Sequence, residues 1–225
     1  MTRLVLFDVD GTLVHTGGAG KNAFARTFAV AFNAHDGVHK VNFGGRTDIS
    51  LARELFGIHD IPATAENFRH FFDHYAFCLD HLMSQAGGGA CRGVRDFIRA
   101  LRTRPEPPML GLLTGNIRLG AEIKLRHYDL WEMFETGGFA DDDENRDHIA
   151  VAVFERGRRL LKDLRPEEVV VVGDTAHDVR CGRFIGAKVL AVATGGASYQ
   201  ELKQLSPHWA VEDLTQVGVD EIIGC

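Results

Sequence analysis

Four short apolar runs set the architecture that this chain can adopt. Leu4–Phe7, Met109–Leu113, Val169–Val172 and Val189–Val192 are apolar and bounded by Gly, Asp or Thr. Runs so short and so uniformly apolar have no polar face to turn outward. They read as strands covered on both sides, which is the condition of a parallel sheet. Val94–Leu101, Leu119–Tyr128, His148–Leu161 and Ala176–Ile185 carry helical spacing between or around them. Strands alternating with helices predict an α/β fold built on a doubly wound parallel sheet.

One interval is too long for that scheme. About a hundred residues separate Asp8 from Met109, whereas a βαβ unit takes ~30 or a little more. The excess holds no convincing strand run. Phe24, Phe28 and Phe32 recur every fourth residue, and Phe68, Phe71, Phe72, Tyr75, Leu79 and Leu82 follow the i, i+3, i+4 pattern of amphipathic helices. Gly17-Gly18-Ala19-Gly20 and Gly87-Gly88-Gly89 punctuate the two ends. The expected organisation is an α/β core over residues 1–17 and 88–225, with a helical cap domain inserted over 18–87 through two glycine-containing linkers. The Phe stripes read as buried helix faces. The His70/His74 pair stands among charged residues on the opposite face and reads as solvated rather than metal-binding.

Composition restricts the partners. With 225 residues, 45% of them hydrophobic and 25% charged, the chain can bury a core and is too apolar for disorder. A net charge of -6 gives no footprint for nucleic acid or an anionic membrane. No apolar run approaches the ~20 residues of a membrane span, and the start lacks the length and flanks of a signal peptide. Cys78, Cys91, Cys181 and Cys225 show no CxxC spacing. A reducing cytoplasm is therefore expected, with neither disulfides nor zinc, and the chain is expected to be a monomer or homodimer.

Chemistry concentrates where the apolar runs end. Asp8-Val9-Asp10-Gly11-Thr12 follows the first run directly. Residues i and i+2 of an extended chain point the same way, so both carboxylates can face one site. One can attack as a nucleophile while the other handles protons, and a cation is expected to hold the pair together. Gly173-Asp174-Thr175-Ala176-His177-Asp178 follows the valine run, and Thr114-Gly115-Asn116 follows Met109–Leu113. Ligands of open α/β sheets bind at the carboxyl ends of strands. Three such clusters can converge there as a cradle for Mg²⁺ and a phosphoryl group.

In this order and at this separation, DVDGTL at Asp8–Leu13 and GDTAHD at Gly173–Asp178 resemble the motifs of the haloacid dehalogenase superfamily of hydrolases. The likeness is to members with a helical cap after the first strand, such as phosphoglycolate-phosphatase-like enzymes. The resemblance implies a magnesium-dependent phosphatase acting on a small phosphorylated metabolite through an aspartyl-phosphate. It makes Asp8 the nucleophile and a Mg²⁺ ligand, and Asp10 the general acid and base with its carbonyl on the metal. Thr114, Gly115 and Asn116 would hold phosphate. Asp174 would bind Mg²⁺, and Asp178 would support it directly or through water.

The sequence departs from that pattern in one place. The family's lysine before the last motif is missing, and the stretch Asp141–His148 offers Arg146. Arginine can clamp phosphate with its planar fork, so Arg146 is the expected substitute, with Lys124 or Lys162 as alternatives. The acidic run Asp141–Glu144 reads as a solvated turn. Arg46, in a Gly-flanked turn of the cap, is the candidate for substrate contact. Two other readings of the same residues stay open, a sugar-phosphate mutase and a non-catalytic binding protein on this fold. The glycines before Lys21 do not form a P-loop, because His15 and Asn22 stand where the Walker pattern needs Gly and Ser or Thr.

Overall fold

The computed structural model describes residues 1–224. In chain order it contains β1 (Leu4–Phe7), β2 (Val14–His15), α1 (Ala19–Phe32), α2 (Asp48–Ile58), α3 (Ala65–Met83), β3 (Gly89–Ala90), α4 (Val94–Arg102), β4 (Met109–Leu113) and α5 (Arg118–His127). There follow β5 (Thr136–Gly138), α6 (Arg146–Leu160), β6 (Val169–Gly173), α7 (Ala176–Phe184), β7 (Lys188–Val192), α8 (Tyr199–Gln204), β8 (Trp209–Val211) and α9 (Val219–Ile223).

The main sheet runs β5-β4-β1-β6-β7-β8 and every pairing in it is parallel. Strand residues divide between two faces by their period of two. Val5, Phe7, Val170 and Val172 pack with Phe97, Ile98 and Leu101 of α4 on one face. Leu4, Leu6, Val169 and Val171 pack with Ile149 and Val153 of α6 on the other. Each of these side chains is at most 4% exposed, and burying one stabilises the fold by about 1.5–3 kcal/mol. A polar residue at any of them would lose that and strand a polar group as well.

The topology also positions the site. β1 pairs in phase on both sides, with Phe7 level with Leu112 of β4 and Val172 of β6. The strands therefore end together, and Asp8, Thr114 and Asp174 leave the sheet at one edge. Chain order turns back at β1, the switch point where an open α/β sheet leaves a crevice.

Three helices fill the long insertion. Phe24 and Phe28 of α1, Phe56 of α2, and Phe71 and Tyr75 of α3 form a separate apolar cluster. Ring centroids lie 4.8 Å apart for Phe24–Tyr75 and 4.9 Å for Phe28–Phe71, the range in which an aromatic pair adds about 0.5–1.5 kcal/mol beyond burial. The aromatic periodicity marks α1 and α3, whereas the segment around Arg46 reads from its glycines as a turn. That turn leads straight into α2, whose N-cap Thr47 accepts the Ser50 N–H at 3.3 Å.

The glycine linkers are tied to each other. β2 and β3 form a two-stranded antiparallel ladder. A Cβ on Gly17 (φ +58°) would lie 1.8 Å from the Gly87 carbonyl oxygen, so the two backbones approach as closely as they do only because that side chain is missing. No helix among the described residues is long and apolar enough to cross a membrane. Cys78, Cys91 and Cys181 are buried and unpaired. Cys225 lies outside the described residues.

Candidate active site

Asp8 emerges from β1 with its N–H held by the Val172 carbonyl at 2.9 Å, and it is only 5% exposed. Asp174 follows β6. Its carboxylate accepts the Thr12 hydroxyl at 2.9 Å and the Gly196 N–H at 3.1 Å. Asp178 stands in the first turn of α7, where it forms a capping box with Thr175. That box explains the four-residue spacing, since the helix start itself fixes the third carboxylate. Asp8, Asp174 and Asp178 are buried, with one oxygen of each within 4.8 Å of the others.

Arg146, the first residue of α6, enters the same site. Its Nη2 lies 2.8 Å from Asp8 Oδ1, 2.6 Å from Asp178 Oδ1 and 3.2 Å from the Leu113 carbonyl. Its Nη1 donates to the Gly45 carbonyl of the helical layer at 3.3 Å, and its buried Nε has no partner among the described residues. Of the two alternatives, Lys124 sits at Asp10 instead, and Lys162 is exposed.

Three carboxylates against one guanidinium leave two negative charges. Burial, together with Asp178 and Asp10, pushes the Asp8 carboxyl up to about 6 despite Arg146. Burial, together with Asp178 and Asp8, pushes Asp174 up to about 8. An all-oxygen set with a deficit of two charges suits a hard divalent cation such as Mg²⁺. Both carboxyls are raised in the folded chain, so their contribution to stability is present at low pH. It is lost as pH rises through about 6 and then about 8. A bound cation reverses that trend by displacing the protons. The melting temperature of chelator-treated protein is therefore expected to fall between roughly pH 4, where the unfolded carboxyls begin to ionise, and pH 8, and the increase given by Mg²⁺ to grow over the same range. Thermal denaturation at several pH values checks this, and a Mg²⁺ effect that does not grow with pH contradicts it.

Asp10 belongs to a second group. Its Oδ2 receives Lys124 Nζ at 2.6 Å and Asn116 Nδ2 at 2.8 Å. Asn116 also donates to Thr114 Oγ1 at 2.8 Å and accepts from Lys124 Nζ through Oδ1 at 2.6 Å, so its side chain is spent on Asp10, Thr114 and Lys124. Among the described residues the N–H groups of Asp10 and Gly115 donate to nothing. They are available to an anion at the strand ends.

The helical layer docks on these loops through the start of α2. The Asp48 N–H donates to the Gly115 carbonyl at 2.7 Å, and the Asp48 carboxylate accepts the Ile117 N–H at 2.8 Å. A Cβ on Gly115 would stand 2.2 Å from the Arg46 carbonyl oxygen, so only glycine permits this approach. Burial raises the Asp48 carboxyl to about 7, with Lys124 opposing. The Arg46 guanidinium turns back to Glu54 and the Ser50 carbonyl.

The acidic run differs from the solvated turn expected of it. Asp142 pairs with Arg156, and Asp141 accepts the Arg118 N–H. Glu144 reaches Arg53 of α2 at 2.8 Å. Partners distant in sequence convert a charge run into braces. Asp48 and the Glu144–Arg53 bridge carry no local signal that would mark them as part of this site, and Lys124 enters it at Asp10 rather than as the phosphate clamp that its charge suggests.

A cavity of about 400 Å³ lies over these groups. It is lined by Asp8, Asp10, Thr114, Arg146 and Asp174 below and by Lys21, Phe24, Phe43, Leu51 and Tyr75 of the helical layer above.

Residues 5–192 match the haloacid dehalogenase-like hydrolase family. The bifunctional riboflavin kinase/FMN phosphatase of Arabidopsis thaliana is 24% identical over 194 residues, which make up 85% of this chain. The match spans about half of that relative's length, 48%. Pyrophosphatase PpaX of Bacillus cereus (strain B4264) is 25% identical over 217 residues, 95% of this chain and 93% of the relative. Among solved structures, a hydrolase from Pseudomonas syringae superposes with a TM-score of 0.76 at 20% identity, each chain covered completely. CbbY from Rhodobacter sphaeroides, in complex with xylulose-(1,5)bisphosphate, gives 0.78 at 17% identity over 97% of each chain.

Proposed function

The chain belongs to the haloacid dehalogenase-like hydrolases, and on that premise we propose that it is a magnesium-dependent phosphomonoester hydrolase working through an aspartyl-phosphate on Asp8. The observation that carries this reading is the pairing of Asp8, buried against Arg146, with Asp10, whose carboxylate is 45% exposed toward the cavity. A nucleophile and a proton donor thus flank one space. A leaving alkoxide needs that proton, which a leaving halide does not.

Each residue then has a task. Arg146, the Thr114 hydroxyl and the free Gly115 N–H bind the phosphoryl oxygens and stabilise the charge that they gather. An Asp8 oxygen bonds to phosphorus, the bond from phosphorus to the ester oxygen breaks, and that oxygen keeps the electron pair and takes a proton from Asp10. The Asp10 carboxylate next removes a proton from water as the water oxygen attacks phosphorus. The Asp8–phosphorus bond breaks, which frees phosphate and restores both carboxyl groups. Asp8, Asp174 and the Asp10 carbonyl would hold Mg²⁺, with Asp178 in support. When bound, the ion supplies positive charge that draws nucleophile and phosphate together.

Residues 18–87 would act as a cap over the α/β core of 1–17 and 88–225, excluding water and contacting the leaving group. A cavity of about 400 Å³ with Phe24, Phe43, Leu51 and Tyr75 on the cap side favours a small metabolite. Purified protein is expected to hydrolyse a generic aryl phosphate with added Mg²⁺ and to lose that activity with chelator. A panel of phosphorylated metabolites would then rank substrates. No hydrolysis of any phosphate ester with Mg²⁺ present would contradict the proposal.

A further inference from the structure

Lys124 is buried to an extent that is rare for a lysine. It sits on α5, 3% exposed, and lysines are almost never buried without a partner that requires them. Its Nζ donates to Asp10 Oδ2 and to Asn116 Oδ1, both at 2.6 Å. An ammonium has only donors, so this contact fixes which way the Asn116 amide faces. The amide nitrogen must then point at Asp10, and it reaches the same Oδ2 at 2.8 Å. Lysine, asparagine and aspartate close a ring on a single carboxylate oxygen. Asp10 Oδ1 accepts no hydrogen bond among the described residues.

We infer that Lys124 is a positioning residue for proton transfer: with Asn116 it occupies Oδ2 of Asp10, so the transferable proton is confined to Oδ1. This rests on the phosphatase reading above. A neutral carboxyl group carries one O–H. Placed on Oδ2, that hydrogen would meet two N–H donors, whereas on Oδ1 it meets none. A carboxyl left unpinned can rotate and present either oxygen, and it then spends part of its time misaligned. Two charge-assisted or strong contacts at one oxygen remove that freedom. Lys124 would touch neither the reacting atoms nor the phosphate, and it would act through Asp10 alone.

The plain alternative is that Lys124 merely ties α5 to the turn after β1. Leaving-group dependence separates the two roles. The ratio kcat/KM covers the steps up to the aspartyl-phosphate, where an alkyl phosphate needs a proton on its leaving oxygen and p-nitrophenyl phosphate does not. Lys124→Met is expected to lower kcat/KM about 100-fold for an alkyl phosphate, the scale of a mispositioned general acid. The fall for p-nitrophenyl phosphate should be smaller by at least about tenfold. In an Asp10→Asn background the same substitution should add no further loss on the alkyl substrate, because the group through which it acts is gone. If Lys124→Met fails to fold, Lys124→Gln, which retains an N–H donor, is read in the same way, with an intermediate ratio expected. Equal losses on both substrates, or a full additional loss in the Asp10→Asn background, would overturn the inference and leave the phosphatase reading standing. A wild-type protein that hydrolyses no phosphate ester would overturn both.

Discussion

Asp8→Asn is expected to lower kcat/KM for any phosphate ester by about 10⁴-fold or more, the scale on which enzymes lose a covalent nucleophile. The fold should survive. Asn fills the same space, and removing one carboxylate from a buried cluster of three relieves repulsion with Asp174 and Asp178. In chelator the variant should therefore melt no lower than wild type, while its gain from Mg²⁺ shrinks. Activity and stability move in opposite directions here, which a general folding defect cannot imitate. Near-normal turnover would remove Asp8 from the mechanism.

Arg146→Ala is expected to lower kcat/KM by about 10²–10³-fold, as does loss of one main electrostatic stabiliser at a reacting centre. The guanidinium reaches Asp8, Asp178, the Leu113 carbonyl and, across to the helical layer, the Gly45 carbonyl. A single ammonium cannot span four acceptors in those directions. Arg146→Lys should accordingly recover only part of the activity. Steady-state kinetics of the two variants checks this. An Arg146→Ala enzyme within a few-fold of wild type would mean that the arginine only neutralises Asp178.

The strands of the sheet centre were legible because parallel strands covered on both faces must be apolar without interruption, as Leu4–Phe7 and Val169–Val172 are. Their polar ends were legible for the same reason, since Asp8 and Asp174 interrupt an apolar run abruptly. β5 escaped notice because its three residues are Thr-Gly-Gly, which carry no strand pattern and depend on pairing with β4. β8, at the sheet edge, is only partly buried throughout, so selection for an apolar run is weak there. α2 was hidden by the glycines before it. Arg146 was found through its place in the motif order, but its contact with Gly45 depends on how the insertion folds back. From its sequence position Lys124 offers only an alternative clamp on the phosphate. That it meets Asp10 instead follows from the angle at which α5 leaves the Thr114–Asn116 loop, and no spacing rule encodes that angle. The Gly115–Asp48 contact is of the same kind, because it joins residues 67 positions apart.

The covalent step can be observed without knowing the natural substrate. In Asp10→Asn protein with Mg²⁺, an aryl phosphate can still phosphorylate Asp8, because its leaving group departs without a proton. Hydrolysis of the intermediate then lacks its base. Acid quenching followed by borohydride reduction converts an acyl phosphate to an alcohol, and peptide mass spectrometry locates the change. The expected result is homoserine at position 8, dependent on substrate and absent from the Asp8→Asn/Asp10→Asn double variant. Reduction at another carboxylate, or phosphate release with no reducible residue under any quench time, would contradict an aspartyl-phosphate on Asp8.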